Sequence, residues 1–327
     1  MNGRGPIHRI PIPTPFNVGR VNAYLVVDDP LTLVDAGPKS DRSLAELEKV
    51  MGELGYRVED LERIVLTHQH LDHIGLAHTL AERSGAEVCT IDVLAPYLRD
   101  YVANQEADDE YSITVMEAHG IARDMRTGLR AVSSTFHSWA EAVDVTTELK
   151  PGSTLEFANR SWKVHARPGH SPSDTIFHDE SSGELILGDH LLKSISSNPI
   201  ISRPMGGGDP ADRPKTLMIY RESLGQTRMM EVSLGLGGHG EEIDDHRALI
   251  DQRLASQDRR GEKIKGLLEA RPHTAHEIAL ALWGGDVAMT QAYLTLSEVL
   301  GHLDILLAGG VAVEAVNDDD IAVYSAA

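Results

Sequence analysis

Three histidines and one aspartate lie within the six residues His68-Gln69-His70-Leu71-Asp72-His73. The apolar residues just before them, Ile64-Val65-Leu66, predict a short buried strand, and a helix is expected to begin at the end of the motif. Side chains two residues apart on extended backbone point to the same face, so His68 and His70 are expected to lie together. Imidazole nitrogens and carboxylate oxygens are common ligands of divalent metals, so the motif favours a metal site over a group of solvated histidines. Its spacing suits two neighbouring ions, each completed by a later histidine.

Strand and helix patterns alternate around this motif and predict an α/β fold. Residues 7–27 and 31–35 indicate strands joined by a turn at Asp28-Asp29-Pro30. Ser40 or Asp41 is expected to cap a helix whose apolar residues keep helical spacing until Gly55. Later strand patterns follow in the same manner, and every candidate ligand is expected at the end of a strand.

Residues 95–143 interrupt this alternation with a long, mostly helical stretch. We interpret the stretch as an insertion in a first domain formed by residues 1–258. Its aromatic side chains are expected either to pack on the sheet or to form a cap over the site that shapes substrate choice.

Residues 259–327 form the second predicted domain, in which helices precede two strands in an order that resembles a winged helix. Winged helices often bind DNA, but residues 261–327 hold three basic and ten acidic side chains. That balance has the wrong sign for a surface that follows a phosphate backbone. We therefore expect this domain to serve in packing, in dimerisation or as a lid, and a homodimer is the assembly we consider.

The composition limits the binding partners and the cellular location that we expect. The chain has 30 basic and 50 acidic side chains and a net charge of −20, which disfavours nucleic acid as a partner. No apolar run reaches the roughly 20 residues that a membrane span needs, and Met1–Pro15 lacks the apolar stretch of a secretory signal. The single cysteine, Cys89, lies in a strand pattern and is expected to be buried. We expect a cytoplasmic protein without contact to a membrane.

The motif resembles the Thr-His-x-His-x-Asp-His-x-Gly signature of the metallo-β-lactamase superfamily, with Thr67 and Gly75 at its ends. Four later segments resemble the rest of the family's pattern in order: Val34-Asp35-Ala36-Gly37, Gly169-His170-Ser171, Gly188-Asp189 and Gly238-His239-Gly240. The resemblance implies an αββα sandwich that carries the helical insertion and the small winged-helix-like domain at its C-terminal end.

The same resemblance implies a role for each matched residue. One metal would take His68, His70 and His170, the second would take Asp72, His73 and His239, and Asp189 would bridge the two. Asp35 would orient ligands without binding a metal itself. We expect two Zn²⁺ ions, with Fe or Mn as alternatives. Asp72 is the predicted catalytic residue, since it adjoins both a metal and the attacking water and can orient that water and move a proton.

The implied reaction is hydrolysis, in which a metal-bound hydroxide attacks the substrate. The overall plan is similar to the lactamase-beta-like, glyoxalase-II-related branch, whose members often hydrolyse thioesters, lactones or esters. The acidic charge favours such a small acyl substrate. Basic residues arranged to bind glutathione are not found, and no tyrosine follows Asp189 as in acyl-homoserine-lactone lactonases, so neither specific activity is assigned.

Three alternatives stay open. A phosphodiesterase or ribonuclease would use the same two-metal site but needs a cationic path for its substrate. A persulfide dioxygenase would hold a single iron at a similar motif. A non-enzymatic module would bind through the winged helix alone. Lys193 and Arg203 are candidates for contacting an anionic substrate, although a solvated role is favoured, and His190 is a further histidine next to Asp189.

Overall fold

A computed structural model describes residues 5–205 and 212–327, and the secondary structure is built around two sheets. The first sheet has the order β1-β2-β3-β4-β5-β6, with antiparallel pairing from β1 to β3 and parallel pairing from β3 to β6. Its strands are β1 (Ile7–Ile12), β2 (Val21–Val26), β3 (Thr32–Val34), β4 (Arg63–Val65), β5 (Glu87–Ile91) and β6 (Thr147–Leu149).

The second sheet has the order β11-β10-β9-β8-β7 and is antiparallel except for the parallel pair of β10 and β11. Its strands are β7 (Thr154–Glu156), β8 (Ser161–Ala166), β9 (Thr175–Asp179), β10 (Glu184–Gly188) and β11 (Leu234–Gly237). A third, small sheet has the order β12-β14-β13 and contains β12 (His273–Thr274), β13 (Ala312–Val316) and β14 (Ala322–Ala326).

The helices cover the outer faces of the two large sheets or belong to the insertion and the C-terminal segment. They are α1 (Asp41–Glu53), α2 (Leu71–Ile74), α3 (Ala77–Ser84), α4 (Ala95–Arg99), α5 (Tyr101–Ala118), α6 (Arg123–Phe136), α7 (Thr216–Arg228), α8 (His246–Ala270), α9 (Ala275–Thr290) and α10 (Ala292–Ala308).

The core consists of apolar layers on both sides of the two sheets. Val26, Val34 and Cys89 of the first sheet meet Trp162 and Phe177 of the second in the layer between them. A second layer lies between the first sheet and α1 and α3, and a third lies between the second sheet and α7 and α8. The αββα arrangement expected from the sequence is therefore confirmed, and Cys89 is buried as expected.

Helix α1 shows how local sequence sets these layers. Its N-terminal cap is Ser40, whose hydroxyl accepts a hydrogen bond from the backbone N–H of Ser43 at 3.1 Å. Leu47 and Met51 lie one turn apart on the same face and are fully buried against the sheet, each contributing about 2 kcal/mol through burial. After the helix, Gly55 takes a φ of 90°, a conformation that glycine adopts readily.

The middle of the insertion packs on the C-terminal helices, a contact that neither sequence interpretation included. Val115, Met116 and Ile121 of the insertion share one apolar cluster with the buried residues of α8, α9, α10 and β14. The two ends of the insertion, including Tyr97, Tyr101 and Ala140, belong to the layer on the first sheet, as one of the interpretations expected. The contacts of its middle part with helices so distant in the chain leave no local pattern, so the sequence did not indicate them.

The C-terminal segment begins with one long helix, α8. The predicted domain division at residue 258 falls inside this helix, which runs without interruption from His246 to Ala270. Its segment Arg259-Arg260-Gly261 contains one weak helix former, which the apolar contacts of Ile250, Ile264 and Leu268 outweigh. The division into residues 1–258 and 259–327 remains a proposal. None of the helices within the described ranges is long and apolar enough to span a membrane.

Candidate metal centre

The seven predicted metal ligands converge at one edge of the sandwich, where strands from both sheets end. His68 and His70 follow β4, Asp72 and His73 lie in α2, His170 follows β8, Asp189 follows β10 and His239 follows β11. His70 is partly buried, and the other six side chains are buried. The structure thus brings together every residue that the sequence proposed for the site.

One group consists of three imidazoles. His70 Nδ1 lies 3.0 Å from His68 Nε2 and 3.0 Å from His170 Nε2. The three nitrogens all lie within 4.8 Å of one another, which is close enough for a single ion to contact them together. Three nitrogen donors with a fourth position open to the pocket are typical of catalytic zinc.

A second group consists of Asp72, His73 and His239, and its ligand atoms also lie within 4.8 Å of one another. Asp72 Oδ2 is 3.3 Å from His239 Nε2. Asp189 lies between the two groups, because its carboxylate oxygens are 3.4 Å from His73 Nε2, 3.5 Å from His239 Nε2 and 3.6 Å from His170 Nε2. A carboxylate in this position is able to contact ions in both groups.

Hydrogen bonds on the far side of three histidines fix which nitrogen faces the centre. His170 Nδ1 donates to the backbone carbonyl of Asn198 at 2.8 Å, and His239 Nδ1 donates to the carbonyl of Arg20 at 2.8 Å. Since a carbonyl can only accept, these Nδ1 atoms carry the protons. An imidazole held in this way directs Nε2 at the centre, as a metal ligand requires.

The third of these histidines, His73, is held by Asp35. His73 Nδ1 is 2.7 Å from Asp35 Oδ2, and the other oxygen of Asp35 accepts from the backbone N–H of Thr67 at 2.9 Å. Asp35 has a φ of 58°, which is uncommon for a residue other than glycine. The contacts of this strained residue match the orienting role that the resemblance implied.

We expect Asp35→Ala to lower metal affinity by about 10- to 100-fold, because His73 loses the partner that fixes its ring and its tautomer. Elemental analysis after dialysis against graded chelator concentrations measures this affinity. Asp251→Ala, which removes an exposed carboxylate paired with Arg228, is the control and should retain the parental metal content. Equal metal retention in both variants would show that Asp35 does not support the centre.

The electrostatics divide the histidines into two sets. Burial, together with the neighbouring imidazoles, lowers the pKa of His70 to about 3 and that of His68 well below its usual value. Burial also lowers the pKa of His239, but the Asp189 and Asp72 carboxylates outweigh this effect and raise it to about 9. His68 and His70 are therefore neutral and able to coordinate a metal. The negative charge around His239 favours a bound cation.

Unpaired atoms in the centre test whether a divalent ion fits. His73 Nε2 and Asp189 Oδ1 are buried and have no hydrogen-bond partner among the residues that the structure describes. Buried polar atoms of this kind are costly unless something binds them. A divalent cation between the imidazoles and the carboxylates would satisfy both atoms, so the donor set fits the metal ions that the motif predicted.

Glycines at the margins of the centre allow the close approach of its segments. A Cβ on Gly75 would lie 2.5 Å from the carbonyl oxygen of Trp139 and would also collide with the backbone N of Lys39. A Cβ on Gly238 would lie 2.7 Å from His73 Cε1 and would also collide with Asp189 Oδ1. Both positions therefore require glycine for reasons of space.

The centre opens into a pocket of about 670 Å³. His70, Asp72, His170, Asp189 and His239 form its floor. No lysine or arginine lines it among the described residues. Its walls come from segments that the sequence analysis had not connected to the site: Phe16, Asn17, Val18, Leu192, Ile195, Ser196, Ser197, Asn198, Ile200, Gln291 and Leu294.

The three further candidates from the sequence lie outside this pocket. Lys193 Nζ is paired with Asp244 at 3.0 Å, and Arg203 is paired with Asp108 in a separate cavity of about 280 Å³ on another side of His70. His190 is buried in the core with Nε2 2.9 Å from Thr227 Oγ1, and burial lowers its pKa to about 3. None of the three belongs to the groups that could hold a metal.

A two-sheet sandwich with histidines and carboxylates gathered at its strand ends defines the class of metallo-β-lactamase fold proteins. The model of the metallo-beta-lactamase superfamily matches residues 16–239, which is more than half of the chain. The chain therefore belongs to the metallo-beta-lactamase superfamily.

Individual relatives agree with this membership. The probable metallo-hydrolase YqjP of Bacillus subtilis is 32% identical over 297 residues, which cover 91% of each chain. A metallo-beta-lactamase family protein of Thermus thermophilus is 25% identical with a TM-score of 0.80 over 98% of both chains. A beta-lactamase domain protein of Burkholderia ambifaria is 26% identical with a TM-score of 0.82 over 100% of this chain and 94% of its own. The similarity to these two structures includes the insertion and the C-terminal segment.

Proposed function

We propose that the protein is a metal-dependent hydrolase that uses two divalent ions, Zn²⁺ or alternatively Fe or Mn, to cleave a small ester, thioester or lactone. One observation carries this proposal: seven ligand side chains from separate segments meet in one buried cluster at the floor of a pocket. Membership in the metallo-beta-lactamase superfamily and the similarity to a metallo-hydrolase support the reaction class.

The proposed ligands form two metal positions. His68, His70 and His170 would hold one ion, Asp72, His73 and His239 would hold the other, and Asp189 would contact both. Divalent ions held by these residues would lower the pKa of a bound water toward neutrality and would stabilise negative charge that develops on the substrate.

Asp72 is the proposed catalytic residue. It lines the pocket floor and is 6% exposed, so it can reach a substrate while it remains shielded from bulk water. Burial raises the pKa of its carboxyl, but the hydrogen bond from His239 and the charges of His73 and His239 outweigh burial and lower it. An ionised carboxylate here can accept a proton from the attacking water and deliver it to the leaving group.

The alternatives fit the residues less well. A phosphodiesterase needs cationic side chains along its substrate path, and none lines the pocket among the described residues. A dioxygenase with one iron would occupy only one of the two ligand groups and leave the other without an ion. A nucleic-acid-binding function of the C-terminal domain is opposed by the ten acidic and three basic side chains of residues 261–327.

We expect the purified protein to contain about two divalent ions per chain and to hydrolyse members of a panel of esters, thioesters and lactones. Removing the metal with a chelator should abolish turnover and lower the melting temperature by about 5 °C or more, because ions that bind only the folded state stabilise it. Re-addition of Zn²⁺, Fe²⁺ or Mn²⁺ to separate samples identifies the active metal. Turnover that survives full metal removal, or one iron per chain with oxygen consumption, would contradict the proposal.

A further inference from the structure

The outer wall of the pocket is apolar and comes from three separate parts of the chain. Phe16 and Val18 lie in the loop between β1 and β2, Leu192, Ile195 and Ile200 lie in the segment after Asp189, and Leu294 lies in the first turn of α10. The wall adjoins the floor formed by the metal cluster. A ligand whose reacting group lies at the cluster would therefore place its remainder against these side chains.

Several of these apolar side chains are unusually exposed. Val18 is 37% exposed, Ile195 is 41% exposed and Leu294 is 37% exposed. Large apolar residues that are exposed together around a cavity mark a binding surface, since covering them removes apolar area from water. Their position beside the metal cluster favours a bound ligand as the group that covers them.

The wall offers no cationic side chain that could pair with an anionic group of a ligand. Among the described residues, no lysine or arginine lines the pocket, and its ionisable side chains are the proposed metal ligands. Two cavities of about 280 Å³ adjoin the pocket, and the arginine in each is already paired, Arg203 with Asp108 and Arg260 with Glu298. An anion on the distant part of a ligand would thus lose water without gaining a partner, which is unfavourable.

We propose that this wall binds the uncharged, apolar part of the acyl substrate, and that Leu294 and Ile195 determine this selectivity. The inference rests on the proposed function for the reaction itself. The proposal also assigns a role in substrate binding to the C-terminal segment, because α10 supplies part of the wall.

The proposed selectivity of the wall can be tested by measuring ligand binding, with no need for turnover. Octanamide, which has a neutral head and an apolar chain, is compared with an octanamide that carries a sulfonate at the far end of the chain. Calorimetry on the metal-loaded protein gives both dissociation constants. We expect octanamide to bind at least about tenfold more tightly, and Leu294→Glu or Ile195→Glu to weaken its binding by about tenfold or more.

Leu280→Glu is the matched control. Leu280 is 36% exposed, almost the same as Leu294, and it lies on α9 outside the pocket lining. The Leu280→Glu variant should bind octanamide with the affinity of the parent protein. Circular dichroism should show that the Leu280→Glu, Leu294→Glu and Ile195→Glu variants are all folded.

Three results would overturn the inference: equal binding of the two amides, equal effects of Leu280→Glu and Leu294→Glu, or a parental dimer that Leu294→Glu converts to a monomer. The last result would assign the wall to a subunit interface. Selective binding without hydrolysis of any ester would contradict the proposed function alone, whereas hydrolysis without selective binding would contradict this inference alone.

Discussion

Asp189→Asn is expected to lower turnover by at least about 100-fold and to reduce the metal content of the purified protein. The carboxylate of Asp189 lies within 3.6 Å of His73, His170 and His239, so it contacts side chains of both ligand groups. The amide keeps the shape but removes the negative charge that the two proposed metal ions would require. Removal of a partner that only orients a ligand already reduces metal affinity 10- to 100-fold, so the loss of a shared ligand should be at least as large.

Elemental analysis and steady-state kinetics on the same preparation measure the two effects of Asp189→Asn. Asp244→Asn is the matched control, since the Asp244 side chain is 81% exposed and pairs only with Lys193 among the contacts described for it. It should retain the parental metal content and rate. Full metal content and unchanged turnover in Asp189→Asn would refute the assignment of the centre.

Gly238→Ala should reduce turnover by a similar factor, about 100-fold or more, although it removes no functional group. A Cβ at this position would lie 2.7 Å from His73 Cε1 and would collide with Asp189 Oδ1, so both side chains must shift. Displacements of about 1 Å in an active site can reduce rates by about 100-fold. The backbone N–H of Gly238 also donates to Gly188 O at 2.7 Å, so the loop itself has little freedom to retreat.

Gly225→Ala makes the same chemical change where there is room. Gly225 lies within α7, and an added Cβ would meet nothing within 4 Å. This control should keep full activity and gain roughly 0.5–1 kcal/mol of stability from the better helix propensity of alanine. Kinetics and thermal unfolding of the two variants, measured side by side, separate a local steric effect from a general effect of the substitution. Parental activity in Gly238→Ala would mean that the loop relaxes away from the centre.

Local patterns and short motifs predicted the alternation of strands and helices and the first candidate ligands, whereas the αββα layers were implied by the family resemblance. The spacing of His68, His70 and His73 pointed to metal chemistry through residues alone. Three other ligands, His170, Asp189 and His239, depended on the family resemblance, since a lone histidine or aspartate after a strand has no distinctive pattern.

Features that depend on tertiary contacts were not predicted. Phe16 and Leu294 line the same pocket although their residue numbers differ by 278, and neither lies near the motif in the sequence. The carbonyls of Arg20 and Asn198, which set the tautomers of His239 and His170, belong to the backbone and leave no trace in residue identity. The single long helix α8 also escaped prediction, because contacts on its apolar face outweigh a weak helix former in its middle.

The shared apolar cluster of the insertion and the C-terminal helices has a mechanical consequence. Val115 and Met116 are packed with Leu296 and Leu300 of α10, the helix whose first turn supplies Leu294 to the pocket wall. Widening the pocket entrance by moving α10 alone would separate this packing and expose its interior to water. Movement of α10 is therefore coupled to movement of the insertion, and the rate of product release depends on both segments rather than only on the loops that carry the proposed metal ligands.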